Sequence, residues 1–570
     1  MEAERNRSGE GPRLALIFPP AMHPTSPPLG LASLKAFVEA SGAPGSVKLF
    51  DLNLAHYQQA LRWLDQGRLK MRLGQRDSAA TAREVGAACR FFRGQTGPDS
   101  FLDLAAYNRQ ASVYRSFETV LNGLFDNFAR RLSLGAAVPP LGRAYFGELL
   151  AGVRAFRPDL AGFSILFSQQ LHFALALARA LKEEGVRVIF GGATLAVMPR
   201  PERLLAEPIS ISLGRERRRL EPERVLDFLM VGEGETGLAA LLDDPADPAR
   251  APGLVYWAGG RVRANPPRMI SELNQLPLPD FRELPLDEYH SPRPVLPYLS
   301  SRGCCWGRCA FCTHQKTYLA YREEAVDRTV SRLAELKSRH QVTHFALVDE
   351  MIHPRRFLRL GRRLIESGLE IKYSAYAKPT RSFSRPVLEA LARSGARVIM
   401  WGLESASQRL LAAMKKGTRF EDADRVLVEA DRVGIWNLVF LLFGFPSETR
   451  EEWARTLDFV ERRREQIAAL SKSRFVLLAG SEIFRHPEEY HIVEILDRPE
   501  RDPISIAYDY RVSQGLSQEE VAALYREARA RLDRCGRSPH GGLFRDHLLI
   551  QASEQAGLSP GTRPAGRASS

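Results

Sequence analysis

Cysteine is scarce in this chain: six in 570 residues, too few for the disulfide framework of a secreted scaffold. Long apolar runs are missing as well. The greasiest stretches, such as Leu438 to Phe443, fall far short of the roughly 20 residues a membrane span needs. The opening residues MEAERNRSGEGPR carry no apolar signal core. A cytoplasmic protein without a membrane span is expected. Basic residues lack interleaved aromatics: Lys plus Arg exceed Asp plus Glu by 80 to 67, yet runs such as Arg217 to Arg219 stand alone. A solvated basic surface is the expectation, with no nucleic-acid partner.

What is present is globular. Apolar residues make up 44% and charged residues 26%, which excludes global disorder. At roughly 100 to 200 residues per domain, the length argues for about three or four folding units.

The first segment reads as an α/β unit. Arg13 to Phe18 (RLALIF) predicts a buried strand, Leu31 to Ala40 a helix, and Val47 to Phe50 a second strand. From 56 to 156 there is almost no β signal, only amphipathic stretches such as Ser116 to Leu132, which predicts a helical insertion. The βα rhythm returns with strands at Leu160 to Leu166, Val186 to Phe190 and Phe228 to Val231, giving a doubly wound, Rossmann-like domain over 13–265. Residues 1–12 are expected to be disordered. Eight prolines between Pro266 and Pro297 then mark a linker or wrapping segment over 266–294.

A second βα series spans 295–485, with strands at Val295 to Ser301, His344 to Asp349, Ile371 to Tyr376, Val398 to Gly402, Leu438 to Phe443 and Phe475 to Leu478. Six βα units predict a partial (β/α)6 TIM-type barrel, whose chemistry gathers at the carboxyl ends of its strands. A small C-terminal helical region is expected over 486–552. A disordered Gly-, Pro- and Ser-rich tail follows from 553 to 570.

Four of the six cysteines, Cys304, Cys305, Cys309 and Cys312, crowd into SSRGCCWGRCAFCTH after the first barrel strand. Cys305, Cys309 and Cys312 have the spacing C-x3-C-x2-C, compact enough for one loop to fold round a cluster. Iron–sulfur cubanes are normally held by four thiolates, so three close cysteines leave one iron open to a non-protein ligand. Structural zinc competes, but it usually needs two separated ligand pairs, and Cys89 and Cys535 are distant and unpatterned. A buried cluster of free thiols and a CxxC redox pair at Cys309 and Cys312 compete as well.

Over about Arg13 to His486 the chain resembles the radical S-adenosylmethionine (SAM) enzymes, in the branch with an N-terminal cobalamin-binding domain. The resemblance implies a [4Fe–4S] cluster on three cysteines with SAM on the fourth iron. Phe311 fits the aromatic position between the last two. Relatives show one cysteine after Ser-Arg-Gly, which here is Cys304, whereas the common spacing selects Cys305; Cys305 is favoured, with Cys304 the alternative. For SAM, the resemblance implicates Asp349 and Glu350 at the amino group, Lys378 at the carboxylate, Gly402 and Glu404 at the ribose, and Gly444 beside the adenine. Helix capping competes for Asp349 and Glu350, a surface cation for Lys378, and a structural turn for Gly444.

In the N-terminal domain, Ser164, Leu166, Gly191 and Gly192 match positions that accommodate the nucleotide tail of cobalamin. VGEGET at Val231 to Thr236 matches a recurrent motif of the branch. The cobalt-coordinating histidine of a DxHxxG motif is missing, because Asn53 stands there. The resemblance therefore implies cobalamin without that ligand, or a domain that has lost it. It also implies reductive SAM cleavage to a 5′-deoxyadenosyl radical and C-methylation of an unactivated carbon through methylcobalamin. Two rival functions compete with methylation: cyclisation or rearrangement without methyl transfer, and a non-catalytic corrinoid- or cluster-binding module. An electron donor such as flavodoxin or ferredoxin is the expected partner. The substrate class stays open among small molecules, lipids and peptides.

Overall fold

The computed structural model describes residues 11–314, 318–496, 505–537, 541 and 544–556. The N-terminal sheet consists of β1 (Arg13–Phe18), β2 (Ser46–Asp51), β3 (Leu160–Ser164), β4 (Arg187–Gly191), β5 (Phe228–Met230), β6 (Leu254–Ala258) and β7 (Arg261–Ala264). Their order is β2-β1-β3-β4-β5-β6-β7, with the first five parallel and the last two added as an antiparallel hairpin. β1 is apolar without alternation because both of its faces are covered: Leu14 and Leu16 pack into one core, Ala15 and Ile17 into another. The strand order reverses between β1 and β3, the switch point whose carboxyl edge opens a crevice in such sheets.

Helices fill the chain between Leu52 and Phe156, the longest being Leu104–Ser133. Asp51 starts this insertion by accepting the Leu54 N–H at 2.9 Å as an N-cap. Its other oxygen accepts the Tyr289 hydroxyl at 2.6 Å, which pins the proline-rich segment to the end of β2. That segment wraps the first domain: Asp280 N–H donates to Ala32 O at 3.0 Å and His290 N–H to Pro24 O at 2.8 Å.

The second sheet runs β8 (Val295–Tyr298), β9 (His344–Leu347), β10 (Lys372–Ala377), β11 (Ala396–Glu404), β12 (Trp436–Phe443) and β13 (Ile467–Arg474), in sequence order and all parallel. Side chains alternate along each strand. One set, including Phe345, Ile399, Trp401 and Val439, packs under the outer helices through Leu333, Leu360, Leu391 and Val426. The opposite set, including Ala346, Val398, Met400 and Leu438, shares a core with Tyr107, Tyr114 and Phe117 of the insertion, with Phe544, and with Leu548 and Leu549 of the helix Arg545–Ala556 that follows it. The inner face of the partial barrel is thus closed by the insertion and the C-terminal helix together.

Three expectations need correction. The sixth barrel strand is Ile467–Arg474, and Leu477–Leu478 instead pairs antiparallel with Ala507–Val512. The true strand was hard to read because its apolar run IAAL is short and gives way to the polar SKSR, whereas FVLL just after it is greasier. The C-terminal region is not purely helical: β14 (Leu477–Leu478), β15 (Ile492–Leu496) and β16 (Ala507–Val512) form a small antiparallel sheet, and the alternation in AYDYRV is its trace. The last helix continues to Ala556, past the tail boundary at 553, because its apolar side chains fill the barrel. Residues 1–10 and 557–570, expected to be disordered, lie outside the described residues.

Three neutral histidines are buried, His56 within the insertion and His290 and His547 where the insertion meets the wrapping segment and the C-terminal helix. His56 Nε2–H donates to Asn122 Oδ1 at 3.1 Å, His290 Nδ1–H to the Tyr114 hydroxyl at 2.5 Å, and His547 Nε2–H to His290 O at 2.6 Å. Burial pulls their imidazoles from 6.5 to about 4, about 3 and about 4. The folded chain therefore binds fewer protons than the unfolded chain across that window, and stability is lost as pH falls from 6.5 towards 4. The cost is ~3 kcal/mol or more per histidine. Burial opposes this at Asp51 and Glu448, pushed up to about 6 and about 8, and adds to it at His344, pulled down to about 4. Thermal melts are expected to fall below pH 6.5, and His547→Gln should flatten that fall.

Candidate active site

The cysteines sit in a loop whose stem is a short antiparallel pairing of Ser301–Arg302 with Arg322–Glu323. Beneath the loop lies Asp349, fully buried just past β9, accepting the Ser300 hydroxyl at 2.9 Å and the Ser301 hydroxyl at 2.5 Å. Its Oδ2 has no protein partner among the described residues, and burial pushes its carboxyl up. On the other side the segment 414–417 clamps the loop. Ala310 N–H donates to Met414 O at 3.0 Å, and Trp306 Nε1–H to Lys415 O at 3.0 Å. Gly417 has φ +64, and a Cβ there would lie 2.2 Å from the Trp306 ring, so the indole rests directly on glycine backbone.

All four loop cysteines are partly exposed. Cys305 turns towards Met351, donating to its carbonyl at 3.6 Å, and stands near Glu323 and Tyr321. The Cys304 thiol lies within electrostatic reach of both Cys309 and Cys312. Burial pushes the thiols of Cys305 and Cys312 up to about 12 and raises that of Cys309, so thiolates here need cationic support. Among the described residues no three His, Cys, Asp or Glu side chains converge as on a single ion. A four-iron cluster does not ask them to, since each thiolate holds a different iron.

Facing the thiols are two lysines. Lys378, after β10, is buried rather than a surface cation: its Nζ lies 3.3 Å from the centroid of the Trp306 ring and donates to Lys416 O at 3.1 Å. Burial pulls it down to about 8. Lys416, which the sequence did not single out, is also buried and pairs with Glu404 Oε1 at 2.6 Å. Its ammonium stands 5.8 Å from the centroid of the Phe311 ring. Glu404 has φ +74 at an irregularity in the pairing of β11 with β12, a strained turn that re-aims its carboxylate. Gly402 leaves the space for this ion pair, since a Cβ there would lie 2.7 Å from Lys416 Nζ.

The other expected residues separate. Glu350 stands at the rim and pairs with His314 Nδ1 at 2.7 Å, whereas Asp349 lies below the loop with one oxygen, Oδ1, engaged. Gly444 is buried against the C-terminal region: the Tyr510 hydroxyl donates to its carbonyl at 3.3 Å, and a Cβ would lie 2.5 Å from Val521. In the first sheet Ser164 pairs with Gly191 at the carboxyl edge, and Gly192 passes close over Ile165 with φ +107. Beside them Leu166 and Phe167 are 40% and 49% exposed. Asn53 is buried and its carbonyl accepts the Met22 N–H at 2.7 Å, so it secures the loop after β1.

A buried ion network, unforeseen from the sequence, joins the two carboxyl edges. Arg302 Nη1 donates to Glu233 Oε2 at 2.7 Å and Nη2 donates to Glu235; Arg322 Nη2 donates to Glu233 Oε1 at 2.5 Å. Burial alone would raise the Glu233 carboxyl, but Arg322 and Arg302 outweigh it and hold it below its usual range. The pattern VGEGET was the only trace of this seam, and it said nothing of a partner two residues before Cys304.

Because the indole and Gly417 leave no room for a methyl group, Gly417→Ala is expected to displace the loop. Iron and sulfide bound after anaerobic reconstitution should drop by more than half while far-ultraviolet circular dichroism stays unchanged.

Residues 299–460 match the family model described as the radical SAM superfamily. An uncharacterized methyltransferase of Pyrococcus horikoshii is 26% identical over 359 residues, covering 58% of this chain and 74% of that protein. Among solved structures, the cobalamin-dependent S-adenosylmethionine radical enzyme OxsB with aqua-cobalamin bound superposes with a TM-score of 0.60 at 15% identity, over 92% of this chain and 67% of its own. The radical S-adenosylmethionine methyltransferase TsrM from Kitasatospora setae, with tryptophan substrate and a SAM analog bound, gives a TM-score of 0.54 at 16% identity, over 96% and 90%. A radical SAM domain implies a [4Fe–4S] cluster and SAM, and the thiol loop, the two facing lysines and the strained Glu404 suit that donor set. Residues 299–460 are therefore a radical SAM domain, set in a chain with the fold of the cobalamin-dependent radical SAM enzymes.

Proposed function

We propose that the chain is a cobalamin-dependent radical SAM enzyme that methylates an unactivated carbon. The observation that carries this reading is the Arg302–Glu233–Glu235–Arg322 seam. It holds the carboxyl edge of the first sheet against the carboxyl edge of the barrel, so that groups bound at the two edges share one space. When bound, the cluster and SAM supply a carbon radical and cobalamin a transferable methyl group.

The chain's own residues then divide the work. Cys304, Cys309 and Cys312 hold the cluster in this reading, because the Cys305 thiol is engaged with the Met351 carbonyl while the Cys304 thiol lies within electrostatic reach of the other two. Glu350 at the rim suits the SAM ammonium and the buried Lys378 its carboxylate. Glu404, steadied by Lys416, offers carboxylate oxygen to the ribose hydroxyls, and Gly402 keeps the approach clear. Leu166 and Phe167 give the first sheet an apolar edge beside Ser164, Gly191 and Gly192, suited to the flat macrocycle of a corrinoid. Asn53, committed to Met22, supplies no cobalt ligand in place of the missing histidine. The insertion and the C-terminal helix exclude water from below.

Anaerobic reconstitution with iron, sulfide and hydroxocobalamin, followed by reduction with dithionite, is expected to yield 5′-deoxyadenosine. Methyl-labelled SAM is expected to label the corrinoid. Cys304→Ala should lose most of the bound iron and at least tenfold of the SAM cleavage, and Cys305→Ala should keep both. Deoxyadenosine without labelled corrinoid would move the reading to radical cyclisation or rearrangement; zinc without sulfide would end it.

A further inference from the structure

The cysteine loop also has an outer surface. Between Cys305 and Cys309 the chain places Trp306 and Arg308 at a pocket of about 510 Å3, shared with Leu411, Lys415, Gly417 and Arg419. Its lining holds three cations and no carboxylate. The acids at its margin are Glu482, paired with Lys415, and Glu421, 3.8 Å from Arg419. These two pairs offset Lys415 and Arg419, so the excess positive charge of the lining is that of Arg308. Arg308 is exposed and lies 5.5 Å from the Trp306 centroid.

Trp306 is the partition between this pocket and the interior. Its indole lies on Gly417 and contacts the pocket, and Lys378 Nζ sits 3.3 Å from its centroid. The cysteine loop therefore reaches the surface here through Trp306 and Arg308. Electron transfer decays exponentially with distance, so a donor gains by docking against the loop that carries the cysteines.

We infer that this pocket is the docking face for a small acidic one-electron carrier protein that reduces the cluster, an inference that rests on the radical SAM reading above. The carrier loses one electron and the cluster gains it; no proton or group moves. An acidic face on the carrier meets this excess positive charge, centred on Arg308, while a basic one is repelled.

A purified flavodoxin is the probe. Its oxidised form is expected to bind the reconstituted protein with an affinity that weakens steeply with salt, measured by calorimetry. The Arg308→Glu/Arg419→Glu variant should weaken that binding by about tenfold or more. A control reversal, Arg217→Glu/Arg219→Glu on the first domain, should leave it unchanged. Iron content and dithionite-driven 5′-deoxyadenosine formation should match wild type in both variants, while flavodoxin-driven formation falls about tenfold only in the first. Equal binding by wild type and the first variant, or a loss seen only in the control, overturns the docking face. No deoxyadenosine from wild type with dithionite overturns the functional reading instead, and the calorimetry still decides the docking face. Arg419→Glu alone, farther from the cysteines, guards against a cluster defect in the double variant and should weaken binding in the same direction.

Discussion

Four charged side chains at the seam between two sheets set the geometry on which the rest depends. Arg302, Arg322, Glu233 and Glu235 are largely buried, and each carboxylate meets at least one guanidinium. Such a network adds little net stability, because desolvation cancels much of the attraction, but removing one member strands a buried charge at a cost of about 3–5 kcal/mol. Its value is register. Arg302 lies two residues before Cys304, and Glu233 follows β5, so the thiol loop and the crevice of the first sheet are located by the same atoms. Ile270 N–H adds a contact to Glu233 at 3.1 Å, tying the wrapping segment into the same point.

Packing supplies the second constraint. A six-stranded barrel is open along one side, and its inner side chains would face water unless something filled it. Here the insertion and the C-terminal helix fill it, bringing Phe117 and Leu549 into one core with Val398 and Leu438. The C-terminal helix also sets the Arg545 guanidinium 5.2 Å from the centroid of Phe440 and 5.7 Å from that of Tyr376, one layer below the strand ends that carry Lys378 and Leu442. The inner face of the barrel is thereby covered by segments far away in sequence, which keeps water from it.

Legibility followed locality. RLALIF, LVFLLF and the cysteine spacing are local patterns whose meaning does not depend on distant partners, so β1, β12 and the thiol loop were readable from the residues alone. β13 was not, since its membership of the barrel depends on pairing with β12 rather than on its own modest apolar run. Lys416 and Trp306 escaped notice for a related reason. A lysine before a glycine and a tryptophan between cysteines carry no pattern, and their roles come from Glu404, Lys378 and Gly417, up to about a hundred residues distant. Asp349 divides its oxygens in a way no local pattern shows: Oδ1 accepts the Ser300 and Ser301 hydroxyls, while Oδ2 has no protein partner among the described residues.

The sequence by itself determined the two βα series, the long helical insertion, and a cysteine-rich loop after a barrel strand, because periodicity and spacing are properties of neighbours along the chain. Only the tertiary structure decided that Cys305 meets the Met351 carbonyl, which carboxylates stay available, and how the two sheet edges meet. Those outcomes depend on where a backbone turn aims a side chain and on which distant charge or ring it then meets, and neither is written in the local order of residues.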